Sequence, residues 1–111
     1  GNLVFIGALT EAGVDPRAIR LAILTQPYRE NWEWTDALLE QANVRLARWT
    51  AWASDSSPGE SSMLPFLRGA LAVDLDTPRA IAELDAAIDT GIEASSGDIA
   101  AIDALLGINL R

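Results

Sequence analysis

The most regular hydrophobic pattern in this chain lies between Thr35 and Ser54. Because an α-helix has 3.6 residues per turn, apolar residues at spacings of three and four share one face. Thr35 and Asp36 stand where the side-chain cap of a helix is expected. The pattern therefore predicts one long amphipathic helix, capped by Thr35-Asp36 and ending near Ser54. Its apolar face carries Leu38, Ala42, Leu46, Trp49 and Ala53.

Two shorter helices are predicted before this one. The first spans residues 5–12 and ends at Gly13, because glycine readily adopts the left-handed conformation of a helix C-terminus. The second begins at Asp15 and Pro16, a side-chain cap followed by proline in the first turn, and it ends at Pro27. It is apolar nearly all round, which predicts a central position in the fold. Its apolar residues are Ala18, Ile19, Leu21, Ala22, Ile23 and Leu24.

Three further helices are predicted in the second half of the chain. The first of them begins near residues 61–63. The second has Thr77 as its cap and Pro78 in its first turn, and the third begins at residues 95–98. The glycines that end the last two are Gly91 and Gly107. The positions expected to be buried are Leu64, Leu67, Ala70 and Leu71, then Ile81, Leu84 and Ile88, then Ile99, Ile102, Leu105 and Leu106.

No segment shows the sustained alternation of apolar and polar residues that is typical of a strand. The predicted fold class is therefore all-α, a bundle of five to six helices. About 110 residues is close to the commonest domain size. Residues 1–54 form the first helical segment and residues 55–60, rich in Ser, Pro and Gly, form a linker. Residues 61–111 are expected to pack on the first half as one domain.

Composition excludes several classes of function. The 111 residues include no Cys and no His, so a disulfide framework and a thiolate or imidazole zinc site are absent from this sequence. Nucleophile–base pairs built on imidazole or thiol are excluded for the same reason. No apolar run approaches the roughly 20 residues of a membrane span, and the first residues lack the basic segment of a signal peptide. We expect a cytoplasmic, monomeric domain without a membrane partner.

The charge balance is strongly acidic. Eight arginines and no lysine oppose 16 acidic residues, which gives a net charge of −8. Binding a polyanion requires a basic surface, so this balance argues against a nucleic-acid partner. Arg45 and Arg48 flank the apolar face of the long helix, with Glu40 one turn earlier.

An aromatic cluster is the most unusual local feature of the sequence. One interpretation is a stacking platform for a base or a sugar ring. The other, which we favour, is packing, because large aromatic residues one helical turn apart usually belong to a core. Trp49 and Trp52 would then pack under the loop of residues 27–34. The cluster comprises Tyr28, Trp32, Trp34, Trp49 and Trp52.

Four aspartates raise the alternatives of a Mg²⁺ or acid–base site and a structural role. Asp76 precedes Thr77-Pro78 and so belongs to a helix start. Asp85 and Asp89 are four residues apart and are interpreted as a solvated face, with Asp74 the remaining member. Magnesium sites usually need substrate phosphates as well, so the structural interpretation is favoured.

Arg29 with Glu30 and Glu33 is a candidate contact to a partner or another domain, and the alternative is a surface ion pair. None of these groups is a catalytic constellation. We therefore predict no catalytic, cofactor-binding or metal-ligating residue in this sequence.

Four stretches of the sequence form one set of motifs: residues 1–5 (GNLVF), 15–21 (DPRAIRL), 28–29 (YR) and 74–80 (DLDTPRA). Together they resemble one enzyme family, the class I cysteinyl-tRNA synthetases and their relatives. Residues 1–5, GNLVF, resemble the segment that follows the KMSKS nucleotide loop of that family. Residues 15–21, DPRAIRL, resemble the helix after the loop, and residues 28–29 resemble the end of its HYR motif, with Pro27 where His is usual. Residues 74–80, DLDTPRA, resemble the D-[LF]-[DN]-TP-x-A turn of the same enzymes.

Two further stretches are similar to one branch of that family, the mycothiol-pathway ligases, which join cysteine to glucosaminyl-inositol. They are residues 32–36, WEWTD, and residues 47–49, ARW, and the ending at residues 102–108 is similar as well. The cysteinyl-tRNA synthetases usually carry a serine-led segment at the first of these positions. The resemblance covers nearly the whole chain.

The resemblance implies that this chain is the C-terminal helical part of a larger enzyme and begins just after the nucleotide loop. The upstream catalytic half would be its partner and would hold the Rossmann-type fold, the ATP site and the zinc site. Gly1 and Asn2 would only adjoin the nucleotide loop, and no cofactor is expected in this segment. We expect the chain to end at its natural C-terminus.

The implied reaction has two steps: ATP and cysteine form cysteinyl-adenylate, and the amine of glucosaminyl-inositol then attacks the acyl carbon. The net charge of −8 fits a small sugar amine better than tRNA as the acceptor. Two alternatives remain: the same region of a cysteinyl-tRNA synthetase, and a stand-alone helical interaction module with Trp32 and Trp34 as its exposed anchor.

Overall fold

The computed structural model describes residues 2–27, 30–72 and 75–111, with only the backbone described for residues 2–6. Within these ranges the chain forms helices and no β-strand, so the predicted all-α bundle is confirmed. The helices are α1 (Asn2–Glu11), α2 (Pro16–Leu24), α3 (Asp36–Ser54), α4 (Leu64–Ala72), α5 (Thr77–Asp89) and α6 (Ser96–Leu106).

Most helix ends follow the predicted local signals. The side chains of Asp15, Thr35 and Ser95 accept hydrogen bonds from backbone N–H groups in the first turns of α2, α3 and α6. Gly13, which follows α1, has a φ of +86°. α1 begins at Asn2, earlier than predicted, and α2 ends at Leu24, before Pro27. The early end has a steric cause, because a residue that precedes proline is disfavoured in the helical conformation.

The predicted cap of α5 is wrong by one residue. Asp76, not Thr77, is the cap, and its carboxylate accepts a hydrogen bond from the backbone N–H of Arg79 at 3.0 Å. Thr77 is the first residue of the helix, and its hydroxyl donates to the backbone carbonyl of Leu24 at 2.8 Å. Thr77 therefore ties the start of α5 to the end of α2.

Residues of α2, α3, α4, α5 and α6 form one hydrophobic core. Trp49 of α3 is its largest fully buried side chain. α2 contacts α3 and α5, while α4 contacts α5 and α6. The expected burial in the second half is confirmed at most positions, although Leu64, Leu71, Ile88 and Leu105 remain half-buried. α2 is central but open on one side, because Ile23 and Leu24 are also half-buried.

Residues 57–59 lie against the start of α6. The backbone N–H of Ser57 donates to the carbonyl of Ala94 at 3.1 Å, and the N–H of Ser96 donates to the carbonyl of Ser57 at 2.8 Å. Gly97 donates to the carbonyl of Gly59 at 2.9 Å. A Cβ at Gly97 would come within 2.4 Å of a backbone nitrogen, so only glycine fits this close approach. None of the helices described here is both long and apolar enough to cross a membrane.

Candidate functional site

A polar depression among the described residues lies where α3 meets α5. Arg45, Arg48 and Trp49 fall within five consecutive residues of α3, and Asp85 and Asp89 are one turn apart on α5, so each group shares a helix face. The depression is shallow and open, with a volume of about 510 Å³. Its lining residues are Ala37, Glu40, Gln41, Val44, Arg45, Arg48 and Asp85.

Asp85 is the centre of the polar contacts at this surface. One carboxylate oxygen accepts from the Trp49 indole at 2.8 Å, and the other accepts from Arg45 Nε at 2.9 Å. Arg48 donates to the backbone carbonyl of Asp85 at 3.3 Å and forms an ion pair with Asp89. The interpretation of Asp85 as part of a solvated face is therefore wrong, because its side chain retains only 20% exposure.

The groups of this depression can contact a polar surface but do not form an activated catalytic pair. Each carboxylate oxygen of Asp85 already accepts a hydrogen bond, and each arginine already neutralises a carboxylate. A general base must have a lone pair directed at the proton that it abstracts, whereas the hydrogen bonds of Asp85 are made to Trp49 and Arg45. The arrangement therefore supports cohesion between α3 and α5 more than chemistry on a ligand.

Trp34, Trp49 and Trp52 serve packing. Trp49 is fully buried, and Trp34 and Trp52 pack against the core that contains it. The Trp52 indole donates to the backbone carbonyl of Ile92 at 2.8 Å. Trp32 is half-buried, as are Trp34 and Trp52, so neither Trp32 nor Trp34 offers the fully exposed anchor of an interaction module. The packing interpretation is confirmed for Trp49, and Tyr28 lies outside the described residues.

The aspartates that suggested a Mg²⁺ site have structural partners where they are described. Asp76 caps α5, and Asp85 and Asp89 form ion pairs with α3. Among the residues that the structure describes, no three acidic side chains come close enough to hold a metal ion. Asp74 lies outside the described residues.

Three other sequence candidates also lie in or next to undescribed residues. Arg29 and Gly1 are outside the described ranges, and Asn2 belongs to α1 by its backbone. Glu30 and Glu33 are exposed. The contact of Arg29, Glu30 and Glu33 with a partner or another domain, and the alternative of a surface ion pair, therefore stay predictions.

Sequence reasoning missed the most deeply buried polar group of the described chain, the carboxylate of Asp98. This side chain is 0% exposed. One oxygen accepts from the Ser61 hydroxyl at 2.7 Å and from the backbone N–H groups of Ser62 and Met63 at 2.9 and 3.2 Å. The other accepts from the N–H of Ser95 at 3.2 Å and so completes a capping box. The Ser-x-x-Asp spacing signalled the capping box, but nothing local signalled the contacts with residues 61–63.

A second polar cluster links the start of α2 to the C-terminal residues. Arg17 bonds to the Asp15 carboxylate, with Nη2 2.8 Å from one oxygen, and also donates to the carbonyl of Asn109 at 2.9 Å. Hydrogen bonds from Arg17 lower the pKa of Asp15, and the same pairing raises the pKa of Arg17. Arg20 donates to the carbonyl of Leu106. These bonds hold residues 106–110 against α2, where Ile108 and Leu110 are buried.

Comparison with known proteins shows that the sequence of the chain is similar to part of several ligases. No protein-family profile matches it. It is 52% identical over 118 residues to the L-cysteine:1D-myo-inositol 2-amino-2-deoxy-alpha-D-glucopyranoside ligase of Clavibacter michiganensis subsp. michiganensis, covering 99% of this chain and 27% of the relative. Proteins with the same name in Saccharomonospora viridis and Streptomyces coelicolor are 46% and 45% identical, each covering 99% of this chain and 29% of the relative. The chain thus spans less than a third of the length of these relatives.

Proposed function

We propose that this chain is the helical part of an L-cysteine:1D-myo-inositol 2-amino-2-deoxy-alpha-D-glucopyranoside ligase. It belongs to the family of these ligases as a homologue of part of their length. The intact protein would join L-cysteine to glucosaminyl-inositol in mycothiol biosynthesis. The observation that carries this proposal is the identity of 44–52% to ligases of that name over 99% of the chain. Because the match spans only 27–29% of each relative, we assign the activity to the intact protein.

The contacts that the polar side chains make support a structural role for this segment. Asp15 and Asp76 cap helices, and Asp98 joins the starts of α4 and α6. Asp85 and Asp89 are paired with arginines of α3. We therefore propose that the segment contributes a folded support and that the reacting groups lie elsewhere in the protein.

In the proposed reaction, a carboxylate oxygen of cysteine attacks the α-phosphorus of ATP and pyrophosphate leaves. The amine of glucosaminyl-inositol then attacks the acyl carbon of cysteinyl-adenylate, an amide forms, and AMP and a proton leave. ATP would bind outside this segment. A zinc ion implied by the resemblance does not fit the described residues, because no three acidic side chains converge and the sequence has no His or Cys.

The charge of the segment supports a small acceptor over a nucleic acid. Arginine provides all eight positive charges against 16 acidic residues. Of the arginines in the described ranges, four pair with carboxylates: Arg17, Arg45, Arg48 and Arg79. Holding the phosphates of tRNA would require unpaired cations in excess on one face.

Purified full-length protein tests the proposal directly. Incubation with ATP, cysteine and glucosaminyl-inositol should yield the cysteinyl amide together with AMP and pyrophosphate. Omitting the sugar amine should abolish amide formation, and replacing cysteine with serine serves as the control for amino-acid choice. Charging of tRNA with cysteine, without the amide, would contradict the proposal and identify the protein as a synthetase. A gel-shift titration with tRNA at physiological salt checks the same alternative by binding.

A further inference from the structure

The sequence of α1 favours burial on all sides. Six of its ten residues are Leu, Val, Phe, Ile or Ala, and no charged residue occurs before Glu11. A helix with apolar residues around its whole circumference belongs in a protein interior, because water disfavours contact with each of its faces. α2 and α5, by contrast, carry charged residues on their outer faces.

In the structure, the described half of α1 is not covered. Gly7, Ala8, Thr10 and Glu11 are exposed, and only Leu9 is half-buried. None of residues 7–11 belongs to the hydrophobic core. This arrangement leaves the described residues of α1 without the burial that the sequence of the helix favours.

The open side of α2 adjoins the described part of α1 at Thr10. A shallow depression of about 380 Å³ is lined by Thr10, Pro16, Ile19, Arg20, Ile23 and Leu24. Ile23 and Leu24 are the two apolar residues of α2 that the core leaves half-buried. Arg20 is exposed and would lie at the polar edge of such a surface, as is typical of a protein interface. Together, residues 7–11 of α1 and this side of α2 form one candidate surface, here called the α1–α2 face.

The exposed large apolar residues of the described chain lie on other elements and do not form one surface. Val44 lies on α3, Phe66 on α4 and Leu75 precedes α5, at 66%, 56% and 61% exposure. Apolar side chains that are scattered over separate elements are normal on protein surfaces and need no partner.

We propose that the α1–α2 face is the surface against which the remaining part of the ligase polypeptide packs. This inference rests on the proposed function. The similar ligases are more than three times as long as the match, so most of each polypeptide lies outside it. A covalently joined domain meets this face at a high effective concentration and needs only a modest interface to remain bound. It is therefore a better occupant than a second copy of the chain.

Hydrogen–deuterium exchange tests the occupancy of the face. The exchange of the backbone amides of residues 7–11 is compared between the 111-residue chain, which has its own core, and the full-length protein. We expect exchange about tenfold slower or more in the full-length protein, because packing suppresses local opening of the helix. Amides of α3, within the core, should exchange alike in both. Equal exchange of residues 7–11 in the two proteins would overturn the proposal.

A charged substitution on the α1–α2 face tests the proposed packing through the melting temperature of the protein. Ala8→Arg adds a cation on α1 three residues before Glu11, and the control Ala51→Arg adds one on α3 four residues before Asp55; both alanines are exposed. In the 111-residue chain neither change should alter the melting temperature. In the full-length protein only Ala8→Arg should lower it, by about 2–4 °C. Equal melting temperatures for the two full-length variants would contradict the packing of this face.

Two further readouts separate the alternatives. A 111-residue chain that sediments as a dimer, and as a monomer when it carries Ala8→Arg, would overturn the proposed occupant in favour of a second copy. Amide synthesis by the unmodified full-length protein tests the proposed function alone. A protein that shows slowed exchange at residues 7–11 but makes no amide would retain the interface and reject the ligase activity.

Discussion

The indole Nε1 of Trp49 donates a hydrogen bond to a carboxylate oxygen of Asp85 at 2.8 Å. The indole itself is fully buried, while Arg45 holds the second oxygen of the same carboxylate at 2.9 Å. The largest core side chain and a half-buried carboxylate thus form one unit across the contact of α3 with α5. Packing, hydrogen bonding and charge pairing all act on this single contact.

Replacing Trp49 should therefore destabilise the folded chain. We expect Trp49→Ala to lower the free energy of unfolding by about 3–5 kcal/mol, because the change leaves a cavity in the core. Trp49→Phe keeps most of the packing but removes the donor to Asp85, so its loss should be about 1–2 kcal/mol. Urea unfolding of the 111-residue chain measures both. A loss below about 1 kcal/mol for Trp49→Ala would show that Trp49 is exposed and would reopen the stacking interpretation.

Asp98→Ala should destabilise the junction of α4 and α6. The change removes the acceptor for the Ser61 hydroxyl and for the N–H groups of Ser62 and Met63. Buried donors without an acceptor are unfavourable, so we expect a loss of about 2–4 kcal/mol in urea unfolding. The control is Asp103→Ala on the same helix, where the side chain is exposed and the change should cost less than about 0.5 kcal/mol. Equal losses for the two variants would contradict the role of the buried carboxylate.

Gly107→Ala tests the contact between the end of α6 and Arg20. Gly107 has a φ of +71°, and a Cβ there would lie 2.6 Å from Arg20 Nε. Gly91, with a φ of +84° and no neighbour within 4 Å of its Cβ, provides the control for backbone strain alone. We expect Gly91→Ala to cost about 1 kcal/mol and Gly107→Ala to cost more, because Arg20 must also move away from the Leu106 carbonyl.

A double-mutant cycle identifies the source of that difference. In an Arg20→Ala background, Gly107→Ala should cost no more than Gly91→Ala does, since the displaced guanidinium is gone. Thermal or urea unfolding of the four proteins gives the comparison. If the losses in free energy of unfolding caused by Arg20→Ala and Gly107→Ala simply add in the double variant, the contact between Arg20 and residue 107 is refuted.

The Asp15–Arg17 pair predicts a dependence of stability on acid pH. Hydrogen bonding to Arg17 lowers the pKa of Asp15 from its ordinary value of 3.8. A carboxyl whose pKa is lower in the folded state contributes stability above its unfolded pKa and loses it as the pH falls through the folded pKa. The free energy of unfolding of Asp15→Asn should therefore be lower than that of the unmodified chain at neutral pH, and the two should converge below the folded pKa of Asp15.

Urea unfolding from neutral pH down to about pH 2 measures that convergence, since this range spans the pKa of the free carboxyl. Asp103→Asn is the control, because the side chain of Asp103 is exposed. A difference between Asp15→Asn and the unmodified chain that stays constant over the whole range would contradict the pairing.

The positions of the helices follow from interactions that are local in the sequence. A repeat of three and four residues placed α3, and caps at Asp15, Thr35 and Ser95 marked three helix starts, since a cap bonds to N–H groups two or three residues away. The same local pattern predicted burial of Trp49. Even the error at α5 was small, because Asp76 and Thr77 are both residues that can cap a helix.

The partners of the polar side chains depended on the tertiary structure. Asp85 resembled a solvated residue in its helical pattern, and only the packing of α3 on α5 places Trp49 and Arg45 against it, 36 and 40 residues away. Thr77 bonds to a carbonyl 53 residues away, and Asp98 to a hydroxyl 37 residues away. Helix periodicity specifies which face of each helix is apolar, but not which helices meet or at what offset. The hydrophobic pattern of the chain thus determined the positions of its helices. The packing of those helices determined which charged side chains form hydrogen bonds between them.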